Sequence, residues 1–340
     1  MLKVIRCVSF VGSVLAMAGT AAFAADNARY LSALGSDLND GRTPETAWRT
    51  IEKLNRELPA GGTAYLRCGD VFYGTIEVKG GLDSSRRTIV TSFGDGPKPI
   101  VSRTKNIKND PGLWRTDSFR FGGWYMDLAN PSNYAGVATD NANPGFLLVD
   151  GEVKPWRHFC HDDINQQWDF AGEGGRLYVY STNNPALLAR DIRVAVDGTG
   201  ILIHSHTAVS NIAVHAVGGH GICAGWYPEP TVDMRISDCY FENIGGAELL
   251  SHKSRRVRYG NAVEFGSNCA DAIVERCKVK GVYDVAFTMQ GTPTSTGWND
   301  IHIRNCHVED SSQAFEIWCK KAAPGMCLRV ARLPETELTM

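Results

Sequence analysis

Past its first 24 residues, the 340-residue chain has no apolar run long enough to cross a membrane. Nor does it carry an excess of one charge. With Lys3 and Arg6 set aside, 33 basic and 37 acidic residues remain, a net charge of about −4. That balance excludes a general binder of nucleic acid or other polyanions, so any acidic ligand must meet a local basic patch. Diagnostic metal-ligand spacing is missing too. His158-Phe159-Cys160-His161 and His204-Ser205-His206 are pairs without a matching second pair, and strand alternation accounts for the latter. No metal site is assigned from the sequence.

The start of the chain reads as a secretory signal over residues 1–24. Lys3 and Arg6 precede an apolar stretch over 8–21, and Ala22-Phe23-Ala24 supplies small residues for cleavage. The expectation is a secreted or periplasmic protein with no membrane contact after cleavage. A membrane anchor is the alternative, for which the apolar stretch is short.

What the chain does have is a repeat. NIAVHAV (211–217), DMRISDC (233–239), DAIVERC (271–277) and DIHIRNC (300–306) align without gaps, at steps of 22, 38 and 29 residues. Apolar residues two apart mark strands with one buried face. A second strand follows each: GICAG (221–225), AVEFG (262–266), AFTMQ (286–290) and AFEIW (314–318). Units this short leave no room for helices, so the spacing predicts an all-β solenoid of stacked parallel coils. In the second strand Ile222, Val263, Phe287 and Phe315 are expected to point inward, and Cys223, Glu264, Thr288 and Glu316 outward.

These repeats resemble the right-handed parallel β-helix proteins of the pectate-lyase-like superfamily. YLSALGSDLNDGRTPETAWRTIEKLN (30–55), GGTAYLRCGDVFYGTIEV (61–78) and RLYVYSTNNPA (176–186) add to the likeness. The resemblance implies a single-stranded right-handed parallel β-helix with an N-terminal α-helical cap. Its members include lyases, hydrolases, epimerases and non-catalytic proteins, so fold alone does not choose an activity. Ca²⁺ enters as a cofactor through the resemblance alone.

Along the chain, residues 25–101 read as the cap and first coils, with Trp48, Ile51, Leu54 and Leu58 at helical spacing before Pro59. Residues 102–190 lose the period and read as an irregular excursion packed on the solenoid. Regular coils are expected over 191–319, and 320–340 read as an irregular tail, with a truncated or frame-altered end and an irregular cap as the two alternatives. Cys239, Cys277 and Cys306 occupy one buried column, where free stacked thiols are favoured over bridges. Cys68, Cys160, Cys223, Cys269, Cys319 and Cys327 have no assignable partners.

Insertions flank the second strand, as expected of the walls of a binding face. Four cations crowd Lys253, Arg255, Arg256 and Arg258, a clamp for the carboxylates of an acidic polysaccharide and a source of the base for β-elimination. The plainer reading is a solvated charged loop. Glu264 and Glu316 stand two coils apart, about 9–10 Å by backbone spacing. Carboxyls roughly 6.5–9.5 Å apart suit inverting glycoside hydrolysis; the alternative is two solvated glutamates. Thr288, Gln290, Trp226, Trp298, Trp318 and His220 are assigned to substrate binding, the aromatics by stacking on sugar rings. Asp233, Asp271 and Asp300 read as turn caps rather than calcium ligands, with Asp284 and Asp310 as weaker alternatives. The leading expectation is a polysaccharide lyase acting on a uronate polymer. A glycoside hydrolase and a non-catalytic glycan-binding protein stand beside it.

Overall fold

A computed structural model describes residues 27–319, apart from 117–121, 138, 140, 155, 227–228, 251–255 and 292–296. The expected signal, the expected tail, Lys253 and Arg255 lie outside the described residues. The chain is mostly β, and its largest sheets are parallel and curl around one core.

Three faces make up that arrangement. The first is a seven-stranded parallel sheet running from Ala28–Leu31 through Thr207–Ser210, Thr231–Ser237 and Cys269–Glu275 to Trp298–Arg304. The second stacks Ile100–Ser102, Ala213–Val217 and Tyr240–Ile244. The third stacks Ile76–Glu77, Ile201–Ile203, Ile222–Ala224 and Val263–Phe265. The long strands Lys278–Gly291 and His307–Cys319 run from the second face into the third. Val90, Val209, Ile236, Val274 and Ile303 form one inward ladder of the first face. β-branched side chains fit that pleated, buried surface, and each fully buried one contributes about 1.5–3 kcal/mol.

The corners explain the aspartate and asparagine columns. His206, Asp233, Asp271 and Asp300 hold φ of 56°, 58°, 51° and 55°. Asn211, Asp238, Arg276 and Asn305 do the same at the next corner, with φ of 55°, 54°, 53° and 53°. A third column, Ala216, Asn243, Gly281 and Asp310, is also left-handed. Short polar side chains and glycine tolerate that conformation best. The expected repeat register needs one correction here. Val209 pairs with Ile236 and Ala213 with Tyr240, so Asn211 matches Asp238 rather than Asp233, and the first step is 27 residues, not 22. Both corners demand the same backbone and both precede an alternating strand, so the pattern fits either.

The helix Ile51–Glu57 begins at Thr50, whose hydroxyl accepts from the Lys53 amide at 3.1 Å. Ile51 and Leu54 are buried. Asn55 donates to the Thr75 carbonyl at 2.8 Å and accepts from the Glu77 amide at 2.9 Å, which covers the edge of Ile76–Glu77.

Between Thr104 and Val196 the chain builds two five-stranded sheets with a separate core around Met126, Leu147, Phe170 and Val194. Their pairings are nearly all antiparallel. Ile192–Val196, inside the stretch expected to hold regular coils, belongs to this unit. Cys68, Cys160, Cys223, Cys239, Cys269, Cys277 and Cys306 are free thiols. Cys239, Cys277 and Cys306 each direct the thiol at the carbonyl two residues back, at 3.3, 3.4 and 3.3 Å.

Candidate functional site

The third face carries the chemistry. Leu202, Cys223, Glu264, Thr288 and Glu316 form one column through successive strands, with Glu77 at its far end. Glu264 and Glu316 are therefore two strand steps apart, about 10 Å by backbone spacing. Their environments differ. Glu316 is half-buried, whereas Glu264, Cys223 and Thr288 are buried, which corrects the expectation of an open groove floor. Trp226 and Asn261 both bond the Glu264 carboxylate and help take it out of water. Phe315, expected inward, is exposed, because no strand lies beyond His307–Cys319 among the described residues.

Glu264 is held from several sides. Trp226 Nε1 donates to Oε1 at 2.5 Å, and Asn261 Nδ2 donates to Oε2 at 2.6 Å. His220 Nδ1 stands 3.3 Å from Oε2. The Asn261 side-chain Oδ1 accepts from the Val285 amide at 3.1 Å, so one side chain ties the carboxylate to the next coil. His220 packs edge-on against Tyr259, with ring centroids 4.9 Å apart. Tyr259 donates to Asp197, and burial together with Asp197 pushes its phenol well above the usual range. Arg103 Nε donates to the Asp197 carbonyl at 3.0 Å, extending the network toward Thr75.

Asp284, in the coil above Asn261, is the residue sequence reasoning undervalued. Burial raises its pKa above the ordinary 3.8, and the nearby Glu316 and Glu264 charges add to the rise, while His220 opposes it. A carboxyl whose pKa is raised by burial and by neighbouring carboxylates is the arrangement expected of an acid–base site. The signal available in the sequence was its place, four residues before Thr288 in a strand whose outward column was already suspect.

The other assigned residues divide. Trp226 is 46% exposed and lies over Gly266, where a Cβ would meet the indole at 2.8 Å. Trp318 is also exposed, with Gln290 as its strand partner. Trp298 is a correction: it is buried, and its Nε1 donates to the Gly266 carbonyl at 2.8 Å, so it packs the core rather than facing a ligand. Thr288 is buried, with no hydrogen-bond partner for its hydroxyl among the described residues.

The basic loop is also corrected where it is described. Arg256 forks onto Glu248 at 2.7 and 2.6 Å. Arg258 donates to the carbonyls of Gly246 at 2.6 Å and Gly145 at 3.0 Å, and lies 4.3 Å from the Tyr283 ring. Arg258 ties the strand Arg258–Tyr259 to Gly145 of the inserted unit, whereas Arg256 pairs with Glu248 of the neighbouring strand and stays 47% exposed. The aspartate column holds cations: Asp233 pairs with Arg87, His206 and Arg235, and Asp271 with Arg235.

A cleft of about 610 Å³ opens along the same side of the coils, lined by Glu77, Lys79, His204, Ser205 and Glu229. Exposed Trp226 stands between that cleft and Glu264 in the coil order.

No protein-family model matches the chain, and no curated protein matches it. Similar folds occur among solved structures. XylC in complex with xylose is 11% identical, with 85% of this chain and 65% of that one covered and a TM-score of 0.45. A glycoside hydrolase is 11% identical, with 84% and 73% covered and a TM-score of 0.50. A rhamnogalacturonan lyase is 11% identical, with 86% and 56% covered and a TM-score of 0.34. The chain thus spans about two thirds of the length of the first. The glycoside hydrolase superposes well enough to show a shared fold.

Proposed function

We propose that this protein is an exported carbohydrate-active enzyme that hydrolyses glycosidic bonds in a polysaccharide. Asp284 gives its proton to the leaving glycosidic oxygen as that bond breaks, and Glu316 takes a proton from the water that bonds to the anomeric carbon. Glu264, clamped by Trp226 and Asn261, positions His220 and shapes the electrostatics of the pair. The carrying observation is the half-buried Asp284 within reach of the Glu316 and Glu264 charges, which together with burial raise its pKa, next to the column that holds both glutamates. Two carboxyl groups in unlike environments are what glycoside hydrolysis requires. Exposed Trp226 and Trp318 supply stacking surfaces for sugar rings. The parallel faces and fixed strand order support a right-handed β-helix of the pectate-lyase-like kind, and residues 1–24 support export.

The lyase reading is second. Arg256 and Arg258 are engaged in structure, so elimination rests on Lys253 and Arg255. A binding-only protein would use the two tryptophans without turnover. A panel of neutral and uronate polysaccharides decides, with reducing ends and ultraviolet absorbance of unsaturated uronates recorded together. Reducing ends without absorbance, lost in Asp284→Asn and Glu316→Gln, support hydrolysis. Absorbance that survives those variants and falls in Lys253→Ala overturns it.

A further inference from the structure

Away from this face, the inserted unit brings together a sulfur, a nitrogen and an oxygen donor. Cys160, His161 and Glu173 place ligand-type atoms all within 4.8 Å of one another. His161 Nδ1 is 2.6 Å from Glu173 Oε2. Asp162 lies alongside, with Oδ1 3.8 Å from His161 Nε2 and Oδ2 3.9 Å from Cys160 Sγ.

The backbone fixes these positions. Cys160 is the residue before the short turn His161–Asp163, a place where Ser, Thr, Asp or Asn would normally cap, and its thiol makes no cap bond. Glu173 ends the strand Phe170–Glu173, and left-handed Gly174 and Gly175 lead directly into Arg176–Tyr180. From that second strand Tyr178 stacks on the His161 ring, with centroids 4.4 Å apart and planes 19° apart. The hairpin therefore sets both the carboxylate and the imidazole orientation.

We propose that Cys160 Sγ, His161 Nδ1 and Glu173 Oε2 form a binding site for a zinc-class divalent cation. Thiolate with imidazole and carboxylate suits a borderline ion rather than Ca²⁺ or Mg²⁺. Bonds of about 2.0–2.3 Å put tetrahedral ligand atoms roughly 3–4 Å apart. Side-chain movement of about 1 Å, opening the His161–Glu173 contact, meets that geometry. Asp162 then faces the distal ring nitrogen, where a carboxylate commonly fixes a ligating histidine. Three protein donors leave the fourth position to water. The ion would also brace its surroundings: Phe159, next to Cys160, lies under the Arg256 guanidinium at 5.1 Å and near Arg157 at 5.8 Å. A metal there would anchor the strand that supports the 247–259 hairpin.

The test uses the full chain, stripped with a chelator and titrated separately with Zn²⁺ and Co²⁺. Wild type is expected to take up one Zn²⁺ by calorimetry and to show a thiolate-to-cobalt charge-transfer band with Co²⁺. Cys160→Ser should lose the band and weaken Zn²⁺ at least about tenfold, and Glu173→Gln should weaken it while keeping the band. Cys160 is half-buried, so the serine variant folds, and circular dichroism checks it. Zn²⁺ affinity and cobalt spectrum unchanged in Cys160→Ser, or no uptake by wild type, overturns the site and leaves His161–Glu173 as an ion pair only.

Discussion

Trp226 reaches across Gly266 to donate its indole N–H to Glu264 at 2.5 Å. The contact depends on glycine, because a Cβ at 266 would stand 2.8 Å from three ring atoms. Gly266→Ala should therefore push the half-exposed indole aside and free one oxygen of the buried carboxylate. Thermal stability should fall by no more than about 1–2 kcal/mol, since the ring can move toward solvent. KM should rise several-fold on the active polysaccharide. Unchanged kinetics would remove Trp226 from the binding face.

Asp284 links the site to pH. Its folded pKa lies above the unfolded value of about 3.8 through burial and the Glu316 and Glu264 charges. Between those two values the native state holds more protons than the unfolded chain. Its stabilising contribution is then complete below about pH 3.8 and is lost as pH rises through the folded value. Against Asp284→Asn, the wild-type melting temperature should decline across that window and run parallel above it. The alkaline limb of the wild-type pH–rate profile should report the same group and vanish with the variant's activity, a loss of about 10²-fold or more. A melting-temperature difference that does not change with pH contradicts the shift.

Much of this was legible in the sequence, and the misses have physical causes. The alternating strands and the Glu264–Thr288–Glu316 column follow from period-two patterning, which depends only on the local backbone. The first register was displaced because two corners of each coil impose the same left-handed φ, on Asn211 and Asp238 as on His206 and Asp233. Parity says which side of a strand a residue faces, not what covers it. Glu264 was thus placed outward correctly, but its burial involves Trp226, Asn261 and His220, which parity does not reveal. The antiparallel unit between 104 and 196 was hidden because its strands are short and pair with distant partners. Arg256 and Arg258 looked free because their acceptors, Glu248, Gly246 and Gly145, carry no sequence signature.

Trp298 tests the separation of core from ligand surface. Its indole is buried and donates to the Gly266 carbonyl. Trp298→Phe keeps most of the apolar volume and removes that bond. The cost should be about 1–3 kcal/mol in denaturant melts, the penalty of an unpaired buried acceptor. KM should stay within about twofold, as no sugar stacks there. A large KM effect at unchanged stability would return Trp298 to the binding face.

Asp233 separates two reasons for one aspartate. Its carboxylate is nearly fully buried and receives Arg87 Nε at 3.0–3.1 Å and Nη2 at 2.6 Å, with His206 Nδ1 at 2.9 Å. Burial opposes its ionisation, yet the hydrogen bonds from Arg87 and His206 prevail and hold its pKa below 3.8. The backbone at 233 is also left-handed, with φ of 58°. Asp233→Asn keeps the tolerance for that φ and loses the charge. It should cost about 2–3 kcal/mol at pH 7, below the usual range for a buried pair because Arg87 keeps some solvent. Asp233→Ala loses both features and should cost about 1–2 kcal/mol more. The folded pKa is depressed, so the charge contribution is present above about pH 3.8 and is lost as pH falls through the folded value. The asparagine penalty should therefore shrink in acid, while the extra cost of alanine should not. Urea melts of the three proteins at pH 7 and pH 3 check both parts, and equal costs for asparagine and alanine would refute the backbone argument for the whole column.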